Sequence, residues 1–223
     1  MLRAFNNTGF ELITNLVSAE DIQALRGETD VALKNNKGGG IRTAERKLES
    51  VRALVASAPL LQCVSQYLAG KPKFVRAIVF DKTPEKNWLV AWHQDKTVAV
   101  TQRFECEGWG PWSVKDGVHH VQPPIAVLEQ MVSLRIHLDD ATVANGCLKV
   151  IPNSHCEGLL PQRKIDEIAR ASEAKFIEAP KGSTLIMRPH LLHASSKAKS
   201  PDRRRVLHLE FCSYLLPPGI HWA

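Results

Sequence analysis

The spacing of apolar residues divides the chain into a helical first third and a strand-rich remainder. Ser18-Ala19-Glu20-Asp21 forms a helix start with acids in its first turn, and Ile22, Leu25, Val31 and Leu33 supply the apolar positions that follow. Residues 35–40 predict a break, because three consecutive glycines cannot continue a helix cheaply. Residues 43–56 predict a second helix. A third follows Pro59, with Leu60, Leu61, Val64 and Leu68 at helical spacing, and ends near Gly70. Ahead of these, Thr8-Gly9-Phe10-Glu11-Leu12 predicts a short opening strand.

From residue 73 the pattern becomes that of strands. Phe74 to Phe80, Trp88 to Trp92 and Val98 to Val100 are β-branched and aromatic runs. Residues 101–130 read as a long irregular stretch punctuated by Gly108, Gly110, Pro111, Gly117, Pro123 and Pro124. Loops of that length inside compact domains tend to be functional lids. Strands resume at Met131 to Leu138, with polar residues interleaved, and at Cys147 to Ile151 after the Asn145-Gly146 turn signal. Pro152-Asn153-Ser154 stops the second of these, and residues 163–172 predict a short helix. Lys175 to Glu178, Ser183 to Met187 and Arg204 to Ser213 complete the set. Helices first and many short strands afterwards predict a mainly β fold, a barrel or sandwich with helices on one face. The expected organisation is one domain over 1–223: a helical flank at 1–72 and a barrel at 73–216, with a lid insertion at about 101–130.

Composition narrows the setting. At 44% hydrophobic and 23% charged residues, the chain matches ordinary soluble globular proteins. Its five scattered cysteines form no C-x-x-C pair, which argues against a disulfide framework or a zinc ribbon and for a reducing compartment. No signal peptide and no run of about 20 apolar residues is present, so a cytoplasmic location without membrane is expected. The net charge of +6 is dispersed, apart from residues 42–47 and 197–205, and lacks the interleaved aromatics of a single-strand binder. A nucleic-acid partner is therefore not expected; oligomeric state is open.

The candidate chemistry starts at His93-Gln94-Asp95. In extended backbone, residues i and i+2 project from one face, so His93 and Asp95 can grip one ion together. Two imidazoles and one carboxylate form the facial triad of non-heme iron(II), which leaves positions open for co-substrate and dioxygen. H-x-D alone occurs by chance in many chains. The third ligand comes from His193, at the end of an expected strand, with His190 as its rival. Arg203-Arg204-Arg205 follows. A guanidinium at the start of an apolar strand is costly to bury unless an anion meets it. Arg203 reads as a surface residue, and Arg204 or Arg205 as the anion's anchor.

These residues carry a resemblance. Trp92-His93-Gln94-Asp95, the stretch Asn145 to His155, and Leu192-His193-Ala194-Ser195 with its downstream arginine resemble the phytanoyl-CoA dioxygenase-like family of iron(II)/2-oxoglutarate-dependent oxygenases. The middle segment matches the family pattern NG-x-L-x-V-x-P-G-S-H, except that Asn153 stands where glycine is usual. Asparagine also tolerates a left-handed turn. The resemblance implies a double-stranded β-helix (a jelly-roll, cupin-like core) with the N-terminal helices packed on one sheet. It implies His93, Asp95 and His193 as ligands and catalytic centre, and Arg204 as holder of the distal carboxylate of 2-oxoglutarate, with Ser195 beside it. It further implies that Gln94 touches the co-substrate and that Arg42 and Trp112 line the pocket. The implied reaction consumes Fe(II)-bound dioxygen and 2-oxoglutarate, releases succinate and carbon dioxide, and oxidises a C–H bond of a small-molecule substrate. Asp95, in place of alanine or glycine, leaves no vacant position for halide.

Other polar residues have structural readings beside functional ones. His137 and His208 share strand parity with Arg135 and Arg204 and are candidates for the interior; His119 and His120 lie in the expected lid. His155 reads as structural and His221 as exposed. Asp139-Asp140 cannot serve one reaction centre, since neighbours on a strand face opposite ways, and reads as a turn. Lys82 is a candidate contact to a substrate anion, with a surface position as the default; Trp88 and Trp92 read as core packing. Two other functions remain compatible with the pattern: a metal-dependent hydrolase or isomerase on a similar barrel, and a catalytically silent binding module. The substrate is not named by the sequence.

Overall fold

The computed structural model describes residues 2–34, 38–200 and 202–223. The first part of the expected 35–40 break therefore lies outside the described residues. The chain opens with α1 (Leu2–Thr8) and β1 (Phe10–Ile13), followed by α2 (Ala19–Leu33) and β2 (Gly40–Arg42). The helices α3 (Ala44–Lys47), α4 (Glu49–Val55) and α5 (Ala58–Ser65) lead into β3 (Lys73–Lys82), β4 (Val90–His93) and β5 (Val98–Val100). Then come β6 (Trp112–Lys115), β7 (Val118–Val121), α6 (Ile125–Leu128), β8 (Met131–His137) and β9 (Leu148–Val150). The last elements are α7 (Gln162–Ala171), β10 (Lys175–Ile177), β11 (Thr184–Met187), β12 (His193–Ser195) and β13 (Arg204–Cys212).

The strands form a six-stranded sheet in the order β1-β11-β8-β13-β3-β2 and a four-stranded sheet in the order β10-β9-β12-β4. A three-stranded sheet, β5-β7-β6, stands beside them. This is the mainly β, cupin-like architecture expected, with the two larger sheets facing each other; among the described residues the strands expected to form a barrel over 73–216 do not close into one. The helices cover the outer face of the large sheet. Ile22, Leu25, Val51, Leu60 and Val64 bury themselves there against Ala77, Val79, Leu134, Ile136, Leu207 and Leu209. Each of those strand residues alternates with one that points inward between the sheets, as a strand's two-residue period requires. On β13, Leu207 and Leu209 face the helices while Arg204, His208 and Glu210 face the interior.

Several expected elements shift. Ser18 caps α2 as expected, its Oγ accepting from the Asp21 backbone N–H at 3.0 Å. The helix expected over 43–56 is two, because Leu48 is extended (φ −120°, ψ 122°) between α3 and α4. The third helix stops at Ser65, short of Gly70. The opening strand begins at Phe10, after a helix that the sequence reading did not include. Residues 101–130 are not structureless: β6 and β7 make a hairpin that adds to β5. Its two-residue connection, Asp116-Gly117, has both φ values positive (50° and 78°), the geometry for which Asp-Gly is suited. That dipeptide was the signal passed over. Asn153 is indeed left-handed (φ 67°), so the departure from glycine costs little there.

The packing makes one energetic prediction. Leu209 is fully buried between the large sheet and the helices. Leu209→Ala removes that contact and leaves a cavity, so urea denaturation should show a loss of about 2–5 kcal/mol. A loss below about 1 kcal/mol would mean that the helix layer is not closely packed there.

Candidate metal centre

β4 and β12 pair antiparallel with His93 opposite His193. The sequence reading put His193 at the end of a strand; it opens β12 instead, and the pairing explains why it meets His93. The two rings lie 4.1 Å apart between centroids. Asp95 sits two residues beyond His93, its backbone N–H donating to the Pro189 carbonyl at 2.9 Å, which ties the segment after β4 to the approach of β12. One carboxylate oxygen of Asp95 is 3.6 Å from His93 Nε2 and the other 3.6 Å from His193 Nε2. The three donor groups converge within 4.8 Å of one another.

Both rings are oriented by the same device. His93 Nδ1 is 2.9 Å from the Ala91 carbonyl and His193 Nδ1 is 2.8 Å from the Leu191 carbonyl. A carbonyl can only accept, so each Nδ1 carries the proton and each Nε2 presents a lone pair to the shared space. Burial pushes the His193 imidazole down to about 3, which keeps it neutral and ready to coordinate. Burial works against an ionised Asp95, but the neighbouring imidazoles of His193 and His93 hold its carboxyl well below the usual range. Burial also works against a charged His93, but its contact with Asp95 raises that imidazole above its ordinary value, so a metal ion competes with a proton there. Two imidazoles and one carboxylate make a donor set that fits iron(II). Asp95, His208 and Glu210 also converge. In that group Glu210 Oε1 already accepts from Arg76 at 2.7 Å and lies 3.1 Å from His208 Nε2, whereas Oε2 has no partner among the described residues.

A cavity of about 140 Å³ adjoins the centre and is lined by His93, Asp95, His193, Ser195, Arg204 and His208, among others. Arg204 is 5% exposed and forms no ion pair with a carboxylate among the described residues. Its guanidinium donates to the Asn145 carbonyl at 3.4 Å and to Ser195 Oγ at 3.3 Å. Arg205 faces the other way and is committed to Asp139 at 2.8 and 2.9 Å and to Asp30 at 2.7 Å. Arg203 pairs with Asp81 and Asp30. Of the three arginines, only Arg204 is available to an anion in the cavity.

A larger cavity of about 500 Å³ shares Asp95, Arg76, Phe80 and Trp88 with the smaller one and is walled by Arg42, Lys115 and His120. Arg42 therefore lines a pocket, 3.5 Å from Asp116. Two expectations fail. Gln94 does not reach the interior: strand alternation turns it away from its neighbours, and its amide bonds to the Gly158 and His190 carbonyls and the Leu160 N–H. Trp112 lies outside both cavities, edge-on to Phe104 at 5.3 Å in the cluster beside β5. His190 lies beside His155 and away from the centre. Lys82 is buried, at 2% exposure, where a surface position was the default. Trp88 lines both cavities, and the core reading holds for Trp92, which packs against α7. Asp139 and Asp140 part as expected, one to Arg205 and one to the Lys181 N–H. Arg76, Arg135 and Glu210 were missed. Parity with Arg204 along β13, which singles out His208, also reaches Glu210.

Residues 5–206 match the family model described as Phytanoyl-CoA dioxygenase (PhyH). The chain belongs to the PhyH family. Two curated proteins are similar to this PhyH chain. Phytanoyl-CoA dioxygenase 1 of Oryza sativa subsp. japonica is 27% identical over 163 residues, covering 69% of this chain and 48% of that protein. L-proline trans-4-hydroxylase of Streptomyces griseoviridis is 25% identical over 190 residues, covering 73% and 63%. This PhyH chain thus spans about half the length of the first and under two thirds of the second. Among solved structures, EctD from S. alaskensis with 2-oxoglutarate and 5-hydroxyectoine superposes with a TM-score of 0.73 at 18% identity, covering 95% of this chain and 74% of that one. At that identity the likeness is one of fold.

The different commitments of the neighbouring arginines can be tested by stability. Arg205→Ala leaves the half-covered Asp139 without its main partner and should cost about 3 kcal/mol. Arg204→Ala strands no carboxylate and should cost less than that, or raise stability. Equal losses in paired denaturation curves would mean that Arg204 also has a protein anion.

Proposed function

We propose that this chain is an iron(II)/2-oxoglutarate-dependent dioxygenase that oxidises a C–H bond of a small-molecule metabolite with release of succinate and carbon dioxide. The observation that carries the reading is the convergence of two Nε2 lone pairs and the Asp95 carboxylate beside a buried arginine without an anion. Membership of the PhyH family supports it, as do a curated relative named as a proline hydroxylase and the fold shared with a 2-oxoglutarate complex.

In this reading His93, Asp95 and His193 hold the iron, and Arg204 takes the distal carboxylate of 2-oxoglutarate with Ser195 beside it. Iron and co-substrate, when bound, supply the reduction of dioxygen and the oxidising power. The chain's part is positioning. The carbonyls of Ala91 and Leu191 fix the imidazole tautomers. Phe80 and Trp88 line both cavities and give their junction an aromatic wall. The β6–β7 hairpin contributes Lys115, Val118 and His120 to the outer cavity, so the segment 101–130 selects the substrate that lies against Asp95.

Anaerobic addition of Fe(II) and 2-oxoglutarate to the metal-free protein should produce a visible charge-transfer band. His93→Ala or Asp95→Ala should abolish it, and a chelator should erase it. Arg204→Ala should raise the 2-oxoglutarate concentration needed by about tenfold or more, the worth of a charged hydrogen-bond pair, while leaving iron affinity little changed. The absence of any band at saturating co-substrate would contradict the assignment.

A further inference from the structure

We propose that Lys82 is a second anchor for the distal carboxylate of the co-substrate, acting with Arg204 as a two-cation clamp spaced by the Ser195 hydroxyl. The inference rests on the dioxygenase reading and goes beyond it. Lys82 ends β3, and its Nζ donates to Ser195 Oγ at 3.0 Å and to the Ser196 carbonyl at 2.8 Å. The same Oγ accepts from Arg204 at 3.3 Å and donates to the Gly146 carbonyl at 2.8 Å. A hydroxyl has one proton and two lone pairs, so this one is fully used. Ser195 therefore spaces the two cations, and the anion must be met by the cations themselves. An ammonium has three donors and Lys82 uses two.

Charge bookkeeping points the same way. Of the inward cations Arg76 has an acid, Glu210 at 2.7 Å, and on the opposite face of β13 Arg205 has Asp139 at 2.8 Å. Lys82 forms no ion pair with a carboxylate among the described residues, and its like-charged neighbour Arg204 forms none either. The Trp88 ring, 5.5 Å from Nζ, offers partial compensation. Two buried like charges sharing one oxygen repel unless an anion joins them. Burial and the adjacent Arg204 together bring the Lys82 ammonium down to about 8, the mark of a cation kept without its counter-ion. Arg135 is the third inward cation without an acid, but it does not touch Ser195. Its charge acts on Arg204 as well as on Asp95, and its guanidinium lies 3.4 Å from His208 Nδ1, whereas Lys82 meets Arg204 at the shared Ser195 hydroxyl. Lys82 and Arg204 therefore meet at one point of the cavity wall, the Ser195 hydroxyl on β12.

A structural role for Lys82, tying β3 to the end of β12, is separable by experiment. Lys82→Gln keeps donors for Ser195 and Ser196 but removes the charge; Lys82→Arg keeps the charge. Anaerobic calorimetry of the Fe(II)-loaded proteins would compare 2-oxoglutarate with 2-oxobutanoate, which has the same chelating head and no distal carboxylate. Lys82→Gln should weaken 2-oxoglutarate about tenfold or more while 2-oxobutanoate changes by less than about twofold, and Lys82→Arg should recover most of the loss. An equal weakening of both acids, or a preference for 2-oxoglutarate that Lys82→Gln leaves intact, would overturn the inference alone. Wild-type protein that binds neither acid would overturn the dioxygenase reading with it.

Discussion

The site depends on one antiparallel contact, the pairing of β4 with β12 that sets His93 opposite His193. Each strand is short, and neither would hold its histidine alone. The pairing fixes the separation of the rings, and the carbonyls two residues earlier, at Ala91 and Leu191, fix which nitrogen bears the proton. Asp95 joins through its backbone bond to Pro189, just before β12. Three ligands from two distant parts of the chain are thus positioned by hydrogen bonds to the main chain, which a change of surface side chains leaves untouched. A donor set preorganised in this way has little conformational entropy left to lose when a cation arrives.

The large sheet divides its labour by strand parity. Most residues facing the helices are apolar and supply the stability; those facing the interior include Arg76, Lys82, Arg135, Arg204, His208 and Glu210. An interior so polar is expensive in a protein of this size, because every buried charge needs a partner. Part of the demand is met internally, through Arg76 with Glu210. The remainder, at Lys82, Arg135 and Arg204, matches a ligand set that brings anions with it. The helical layer then acts as the source of the stability from which this cost is drawn.

Much of this arrangement could be read from the chain. His93 and Asp95 were legible because two-residue spacing in extended backbone is local geometry, and Arg204 because an arginine opening an apolar strand is an anomaly. The order of helices before strands foretold the layered architecture. What escaped the sequence was tertiary. Nothing local says that Lys82 turns inward, since its burial comes from the β12 segment more than 100 residues away. Gln94 was misplaced for a simpler reason, since alternation between His93 and Asp95 already pointed it outward. Trp112 was assigned by region, and its place in a hairpin depended on the Asp116-Gly117 turn.

The central claim is that one ferrous ion is held jointly by His93, Asp95 and His193. Anomalous diffraction from crystals of the protein loaded with Fe(II) under anaerobic conditions tests it most directly. The account predicts a single strong peak within bonding distance of both Nε2 atoms and the Asp95 carboxylate. A peak lodged instead among Asp95, His208 and Glu210, or none near His193, would contradict it.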